Sequence, residues 1–465
     1  MRRPATARRG TSGRWRALAA LSAALVLVLP GLRPGFAGAE GTVPGEQTSP
    51  KAWEARFGGK VELGDDPSLE DYLAAAASSD PGLVAAFMEW KAALAGVPGA
   101  SSLPDPVFTW GYYIENVETR VGPQRQRFAL RQSFPWFGTL SAREGIAAAE
   151  ARAAFERFEQ RRLSLFYGVT KAYGEYYLLG RRIEIAKSTL DLVEQWEEVA
   201  RMRYAAGSQD FEALTRIEIE RLRLEDRVRA LEDSRRPAVE ELRGLVGFSA
   251  DHVPPFPPTL PVLETAAEDS LMRSVEEENP GVRALGHIVM RNEEAARLAG
   301  KLSWPDFTIG LDWIDTGDAL NPSAPESGKD PWMVSLSVKL PIWFGSNSAA
   351  REAAAARLEM SRYRLRDERQ ALRARAERAL FEYRDALSRK ELYDDALIPR
   401  AEEAQEVSLR AYESGKVGFL RVLEAQRLLL DLRLEREEAS VAATVGAAEL
   451  MMLSGGGGED RSSGR

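Results

Sequence analysis

Two stretches of the chain, 106–134 and 305–340, alternate apolar and polar side chains in the way that half-buried strands do. Each stretch opens with P-x-F-T-x-G, and each is followed by an aromatic residue, Phe and Gly. Within each stretch the alternating pattern is interrupted once by polar and turn-forming residues. The pattern therefore predicts two hairpins, and the chain contributes four strands of about ten residues each.

The alternation assigns the strand residues to two faces. One face is apolar and holds Phe108, Trp110, Tyr112, Phe128, Leu130, Phe307, Ile309, Leu311, Trp313, Val334, Leu336 and Val338. The other face is polar and holds Thr109, Arg127, Arg131, Thr308, Asp312 and Lys339. Tilted strands of about ten residues cross a bilayer, so we expect the first face to contact lipid and the second to line a lumen. Two amphipathic hairpins on a water-soluble core are the alternative interpretation.

The rest of the chain predicts helices. Two long helices, 139–206 and 346–414, carry apolar or small residues at heptad spacing, and return helices follow at 210–246 and 417–453. Pro399 predicts a kink or a local break in the second long helix. Helices offer no partner strands, and four strands do not close a barrel, since barrels begin at about eight. A single copy would leave open strand edges in lipid, so the pattern predicts an oligomer.

The chain also repeats itself. N-P-G-V at 279–282 corresponds to D-P-G-L at 80–83, and Y-x-x-G at 412–415 corresponds to Y-x-x-G at 204–207. The offset between the copies is 199 up to the start of the hairpins and 207 in the long helices that directly follow them. The predicted domains are a signal peptide (1–39), an irregular segment (40–67), repeat 1 (68–246), a proline-rich equatorial linker (247–263), repeat 2 (264–453) and a disordered tail (454–465).

The N-terminus predicts export. Arginines precede an apolar run at 17–29, and A-G-A at 37–39 is typical of a signal-peptide cleavage site. Removing residues 1–39 takes away seven arginines and no carboxylate, which lowers the formal charge from −8 to −15. Such an acidic protein is not expected to bind nucleic acid. The chain has no cysteine, so we expect neither disulfides nor an acylated N-terminal cysteine as a lipid anchor.

Candidate catalytic or metal-binding groups are scarce. The two histidines, His252 in the linker and His287 on a predicted helix, lie far apart in the sequence. A histidine metal site or a serine-histidine triad would need more groups than these. We therefore expect no metal, no cofactor and no enzymatic activity.

Together these features resemble the TolC-like outer-membrane efflux proteins over roughly residues 68–453. The resemblance rests on the duplication, the proline-led helix starts, the hairpins that close on Phe-Gly, and YESGKVGFLRVLEAQRLLLDL at 412–432. It implies a mostly helical fold with transmembrane strands, in which three copies share a 12-stranded barrel and their helices form a periplasmic tunnel. The implied function is a passive exit duct in the outer membrane of a Gram-negative-type envelope. Its implied partners are a periplasmic adaptor, an inner-membrane pump reached indirectly, and outer-membrane lipid.

The resemblance also implies where the tunnel closes and where an adaptor binds, namely at the two helix turns. The implied tip residues are Gly207, Asp210, Arg216, Gly415, Gly418, Arg421, Glu424 and Gln426. We expect positive φ at the three glycines because a tight turn between helices requires it. Tip carboxylates, including Glu212 and Asp431, are expected either to form rings in the oligomer or to pair with Arg216, Arg421 or Arg427; ordinary solvated helix charges are the alternative. The first tip matches the family less well than the second.

One other function class is compatible with long helical hairpins. A periplasmic coiled-coil adaptor or scaffold without a pore would also contain them. Such adaptors usually carry one helical hairpin flanked by strand-rich domains. This chain instead alternates two pairs of helices with two pairs of strands, which favours the channel.

Overall fold

The structure is a computed structural model that describes residues 51, 54, 57, 63–64, 66–206, 211–321 and 323–456. The described residues from 57 to 456 belong to one compact unit. In its first half the elements are α1 (Leu69–Ser79), α2 (Pro81–Ala100), β1 (Val107–Thr119), β2 (Gly122–Phe134), α3 (Thr139–Ala205), α4 (Phe211–Asp233) and α5 (Arg235–Val246). In its second half they are α6 (Glu268–Glu277), α7 (Pro280–Lys301), β3 (Asp306–Thr316), β4 (Trp332–Lys339), α8 (Phe344–Leu392), a π-helical segment (Tyr393–Leu397), α9 (Ile398–Glu413) and α10 (Phe419–Leu453).

Both repeats use the same device to begin a helix. The Asp80 carboxylate accepts from the Leu83 amide at 2.6 Å, and Pro81 occupies the first turn of α2. In repeat 2 the Asn279 side chain accepts from the Val282 amide at 3.1 Å at the start of α7. These side chains satisfy amide groups that have no partner inside the helix, and proline costs nothing where no helical N–H bond is needed.

The four strands form one antiparallel sheet in the order β1-β2-β3-β4. The hairpins of the two repeats join through β2 and β3, whose register places Phe128 opposite Trp313 and Leu130 opposite Leu311. Among the described residues, the outer edges of β1 and β4 have no partner strand. The prediction of four strands in a mostly helical chain is confirmed.

The helix α3 organises the packing. It contains 67 residues, which corresponds to about 100 Å at 1.5 Å per residue. Phe158, Val169, Tyr176 and Val193 on this helix are each at most 1% exposed. They fall on the predicted heptad seam, and the helix packs on α1, α2, α4 and α5 of its own repeat and on α7 and α10 of the other.

The first return helix differs from the prediction. The segment expected as one helix over 210–246 consists of α4 and α5, which are separated at Ser234. The cause is Pro237, which has no N–H to donate to the carbonyl of Asp233 and whose ring would clash with it in a continuous helix. The return helix of repeat 2, α10, has no proline and is continuous over 35 residues.

The second long helix breaks where Pro399 predicted, but through a π-helical segment over Tyr393–Leu397. There the Ile398 amide donates to the Tyr393 carbonyl, five residues back instead of four. A π-helical turn accommodates one extra residue in an α-helix. The sequence contains that extra residue, because the offset between repeats is 207 up to Tyr393 and 208 at Tyr412.

The first residues of the predicted disordered tail, 454–456, are packed against the rest of the chain. Ser454 is 4% exposed and follows α10 directly. Gly455 has φ +85°, and an added Cβ there would lie 2.6 Å from the Glu278 carbonyl oxygen. Residues 457–465 and the predicted signal peptide lie outside the described residues. No helix in the described part of the chain is both long enough and apolar enough to cross a membrane.

Candidate channel wall and helix tips

The register of the sheet places all twelve predicted apolar-face residues on one face. Phe108 faces Leu130, Ile309 faces Leu336, and Leu311 faces both Leu130 and Val334. Most of these side chains are exposed, from 42% for Val338 to 76% for Val334. Four rings form a row across the strands, with centroid distances of 6.5 Å for Phe108–Phe128, 5.2 Å for Phe128–Trp313 and 6.2 Å for Trp313–Trp332. The face is a continuous apolar surface with an aromatic row.

The six predicted polar-face residues share the opposite face, and three of them bind one another. Arg127 donates from Nε and Nη2 to Asp312 Oδ1 at 2.9 and 2.6 Å, and Arg131 approaches the same oxygen at 3.5 Å. Asp312 is 1% exposed, whereas the two arginine side chains are 40% and 37% exposed. Lys339 lies 4.0 Å from Asp306 at the end of the sheet. The strongest charge pairing is therefore central on this face.

The two helix turns are described to different extents. Gly207 and Asp210 lie outside the described residues. Gly415 has φ +73°, as predicted for a turn between helices. Gly418 does not have positive φ: its φ of −76° and ψ of 158° are those of an N-cap residue, and it precedes the first residue of α10. The expectation of positive φ at Gly418 is wrong because its turn is completed by Gly415.

Charged tip residues are mostly paired along their own helix. Arg216 donates to Glu212 at 2.6 Å, and Arg421 lies 3.7 Å from Glu424. Arg427 instead reaches across from α10 to α4, where its Nε donates to Glu220 at 3.1 Å. Glu220 was not among the predicted partners, since sequence alone did not place the return helices side by side at this height. Arg427 and Glu220 therefore join the two return helices near the tip, while Arg221 and Glu197 join α4 to α3.

An aromatic cluster holds the ends of four helices together. Phe419 at the start of α10 lies 5.5 Å from the Trp196 ring of α3 and 5.6 Å from the Tyr412 ring of α9. The Arg203 guanidinium lies 4.4 Å from the Tyr412 ring centre. Leu214 of α4 and Leu423 of α10 are buried in the same cluster.

Gln426 does not fit the predicted adaptor contact. Its side chain is 7% exposed, and it accepts a hydrogen bond from Gln405 at 2.9 Å. The surface available near the tip is instead a shallow groove of about 200 Å³ between α4 and α10. This groove is lined by Glu212, Ala213, Arg216, Gly418, Phe419, Leu420 and Leu423.

The comparisons with known proteins agree with this geometry. Residues 271–456 match the sequence model of the family described as Outer membrane efflux protein. Over these residues the chain is similar to the outer membrane efflux proteins. The chain is also 22% identical over 372 residues to the cobalt-zinc-cadmium resistance protein CzcC of Cupriavidus metallidurans, covering 79% of the chain and 85% of CzcC.

Solved structures share the fold of the chain. A crystal structure of a membrane protein from Pseudomonas aeruginosa has a TM-score of 0.71 and 19% identity, covering 84% of this chain and 90% of the other. The outer membrane protein VceC of Vibrio cholerae has a TM-score of 0.69 and 19% identity, covering 84% of this chain and 97% of the other. The predicted fold class is confirmed.

The sequence did not predict a charged junction, where α3, the π-helical segment and α10 meet. Asp394 accepts from Lys390 at 2.9 Å and from Arg436 at 2.8 Å. Glu437, 3% exposed, accepts from Arg436 at 3.0 Å and from the Tyr177 hydroxyl at 2.8 Å. A groove of about 470 Å³ lies beside these groups. The change of repeat offset between Tyr393 and Tyr412 was the signal that could have located this junction.

The junction shifts the pKa values of Tyr177 and Asp394 in opposite directions. Burial raises the pKa of Tyr177 to about 12, and the hydrogen bond to Glu437 acts in the same direction. Burial alone would raise the pKa of Asp394, but the hydrogen bonds from Lys390 and Arg436 outweigh it and leave the pKa lowered. Tyr177 is therefore a stable donor and Asp394 a stable acceptor at neutral pH. Among the described residues, no group of three His, Asp or Glu side chains is placed to hold a metal ion.

Proposed function

We propose that the protein forms the passive exit duct of a tripartite efflux system, as a homotrimer in the outer membrane. A periplasmic adaptor would dock at the helix tips and connect the duct to an inner-membrane pump. We also propose that the N-terminal segment is a signal peptide and that the mature chain has no lipid anchor. The absence of cysteine from the sequence supports this last point.

The observation that carries the proposal is the exposed apolar face of the sheet. Eight large apolar side chains on it are at least 42% exposed: Phe108, Trp110, Tyr112, Ile309, Trp332, Val334, Leu336 and Val338. Transferring them from water into lipid is worth on the order of 10 kcal/mol per copy. A water-soluble protein would leave this surface in contact with water, whereas a bilayer covers it.

The open edges of β1 and β4 support assembly. Each unpaired backbone group costs several kcal/mol in lipid, so strand edges must be paired before the sheet enters a bilayer. Three copies of a four-stranded sheet would supply twelve strands, which exceeds the minimum of about eight for a barrel. The polar face, with Arg127, Arg131 and Asp312, would then line the water-filled interior.

The cargo is proposed by analogy alone. The relative CzcC is named as a cobalt-zinc-cadmium resistance protein. Divalent metal ions are therefore the first cargo to test, with the pump and not the duct as the source of selectivity.

The decisive experiment is reconstitution. The purified protein should require detergent for extraction, run as a heat-modifiable oligomer on a gel, and give discrete conductance steps in planar bilayers. A monomer that stays soluble in plain buffer, without conductance, would contradict the proposal and favour the adaptor or scaffold. A matched sample denatured by boiling before reconstitution serves as the control.

A further inference from the structure

The polar face of the sheet contains a depression over small residues of β1 and β2. On β2, Ala129 lies between Arg127 and Arg131, two residues from each and therefore on the same face. The strand register places Thr109 opposite Ala129 and Gly111 opposite Arg127. At Gly111 an added Cβ would lie 3.9 Å from its nearest neighbour, the Arg127 Cβ, so the floor of the depression is open. The arginine pocket is the cavity of about 270 Å³ at this place, lined by Thr109, Gly111, Tyr113, Ala129 and the two arginines.

Both arginines keep hydrogen-bond donors for a further partner. A guanidinium group carries five N–H donors. Arg127 uses Nε and Nη2 on Asp312, whereas Arg131 approaches Asp312 through Nη2 alone, at 3.5 Å. Among the described residues, these are the side-chain hydrogen bonds that the two guanidinium groups make. The two side chains are 40% and 37% exposed, so the remaining donors, most of them on Arg131, are available to a solute in the pocket.

The charge of the arginine pocket favours an anion. Two guanidinium groups and one carboxylate leave one excess positive charge in each copy, since arginine stays protonated. Asp312 is 1% exposed, so a solute meets the guanidinium groups and not the carboxylate. Asp312 also holds both arginines in place before a ligand arrives, which lowers the entropy cost of binding. Among the described residues that line the pocket there is no carboxylate.

The size of the pocket and its donors fit a small oxyanion. A planar guanidinium group matches two oxygen atoms of a phosphate or carboxylate group. The hydroxyl groups of Thr109 and Tyr113 also belong to the lining and can donate to a further oxygen. One water occupies about 30 Å³ in the liquid, so the pocket has room for a phosphate ion together with several waters.

We propose that the arginine pocket binds small oxyanions on the wall of the duct, with phosphate preferred over carboxylates. Phosphate carries more negative charge than a carboxylate at neutral pH and offers oxygen atoms to both arginines. A bound dianion changes the local charge from one positive to one negative, so the occupied duct prefers cations more strongly than the empty duct. The inference rests on the proposed function, in which the polar face lines a water-filled lumen.

Equilibrium dialysis of the purified protein in detergent against radiolabelled inorganic phosphate tests the pocket without requiring a pore. We expect saturable binding of one phosphate per chain, which acetate displaces only at higher concentration. Arg131→Gln removes charge-assisted hydrogen bonds and should weaken phosphate binding by about tenfold or more. Arg131→Lys keeps the charge but lacks the planar fork, so its affinity should fall between those of the natural chain and Arg131→Gln.

The matched control is Arg125→Gln, which removes the same charge from the same strand. Arg125 lies six residues before Arg131, about 20 Å along β2, and its guanidinium group lies beside Gly317. The control should keep the phosphate affinity of the natural chain, and circular dichroism shows whether each variant is folded. Equal weakening by Arg125→Gln and Arg131→Gln would mean that phosphate responds to the overall charge of the sheet, and the pocket would be wrong.

Conductance separates a failure of the pocket from a failure of the duct. In planar bilayers with a potassium chloride gradient, added phosphate should shift the reversal potential of the natural chain toward cations, and this shift should disappear in Arg131→Gln. A protein that conducts but binds no phosphate contradicts the pocket and leaves the duct standing. A protein that binds phosphate through Arg131 without conducting contradicts the proposed function and leaves the pocket as a surface site.

Discussion

Asp312 is 1% exposed although it lies on the polar face of a sheet, and its charge is shared between Arg127 and Arg131. The period of two in the sequence predicted the face of each of these residues. It did not predict that they bind one another, because that depends on the pairing of β2 with β3, about 180 residues apart. The alternation along one strand predicts which face of the sheet a side chain lies on, whereas the pairing of the strands decides which side chains lie next to it.

The charges on this face should set ion preference. Asp312→Asn removes one negative charge per copy and should shift the reversal potential in a potassium chloride gradient toward anions, since two arginines remain on the wall. Arg127→Gln should shift it toward cations. Ser337→Asn, on the same face without a charge change, is the control. Unchanged reversal potentials in both charge variants would place these residues outside the conducting path.

The buried carboxylate of Glu437 at the junction should contribute more to the free energy of unfolding than the exposed carboxylate of Glu438. Glu437→Gln removes the buried carboxylate that Arg181, Arg436 and the Tyr177 hydroxyl share, although Arg181 keeps Glu184 and Arg436 keeps Asp394. We expect a loss of about 1–3 kcal/mol in the free energy of unfolding. Glu438 is 48% exposed and binds Arg182 at the surface, and Glu438→Gln should cost at most about 1 kcal/mol. Thermal unfolding followed by circular dichroism measures both. Equal shifts of the melting temperature in the two variants would show that the burial of Glu437 adds nothing to its contribution to stability.

At the scale of elements, the sequence located the helices, the hairpins and the duplication, because each depends on local periodicity or on capping residues. It located the disturbance at Pro399 but not its form. A proline inside a helix predicts only that one backbone hydrogen bond is lost. The change of the repeat offset from 207 to 208 shows that the second long helix contains one additional residue, which the π-helical segment accommodates. The apolar spacing over 210–246 predicts one continuous return helix and does not show the break at Ser234, which follows from the missing N–H of Pro237.

The π-helical segment should be removable as a unit. Deleting Ala396 together with Pro399→Ala removes both the extra residue and the lost hydrogen bond, so α8 and α9 should join as one α-helix in the same phase. We expect an assembled protein whose melting temperature is not lowered.

The control deletion is Ala371, in a regular part of α8. It rotates everything after it by about 100° about the helix axis. That variant should fail to assemble, as judged by the oligomer band on an unheated gel. If the two deletions behave alike, the segment does not accommodate an extra residue.

At the scale of the whole molecule, the sequence predicted that four strands need partners from other copies, because backbone groups cannot remain unpaired in lipid. It did not predict which surfaces of the two repeats meet. Those contacts, of α3 with α7 and α10, become visible once the chain is folded.

Two adjacent residues of β4 allow a direct test of which face of the sheet contacts lipid. Leu336 lies on the apolar face opposite Ile309, and Ser337 lies on the polar face opposite Thr308. If the apolar face contacts lipid, Leu336→Arg places a charge in the bilayer at a cost of about 2–4 kcal/mol, whereas Ser337→Arg places the same side chain in water. The fraction of heat-modifiable oligomer in outer-membrane preparations should therefore fall for Leu336→Arg and stay unchanged for Ser337→Arg. The reverse order would mean that the polar face points outward, and equal tolerance of both substitutions would mean that this sheet does not lie in a membrane.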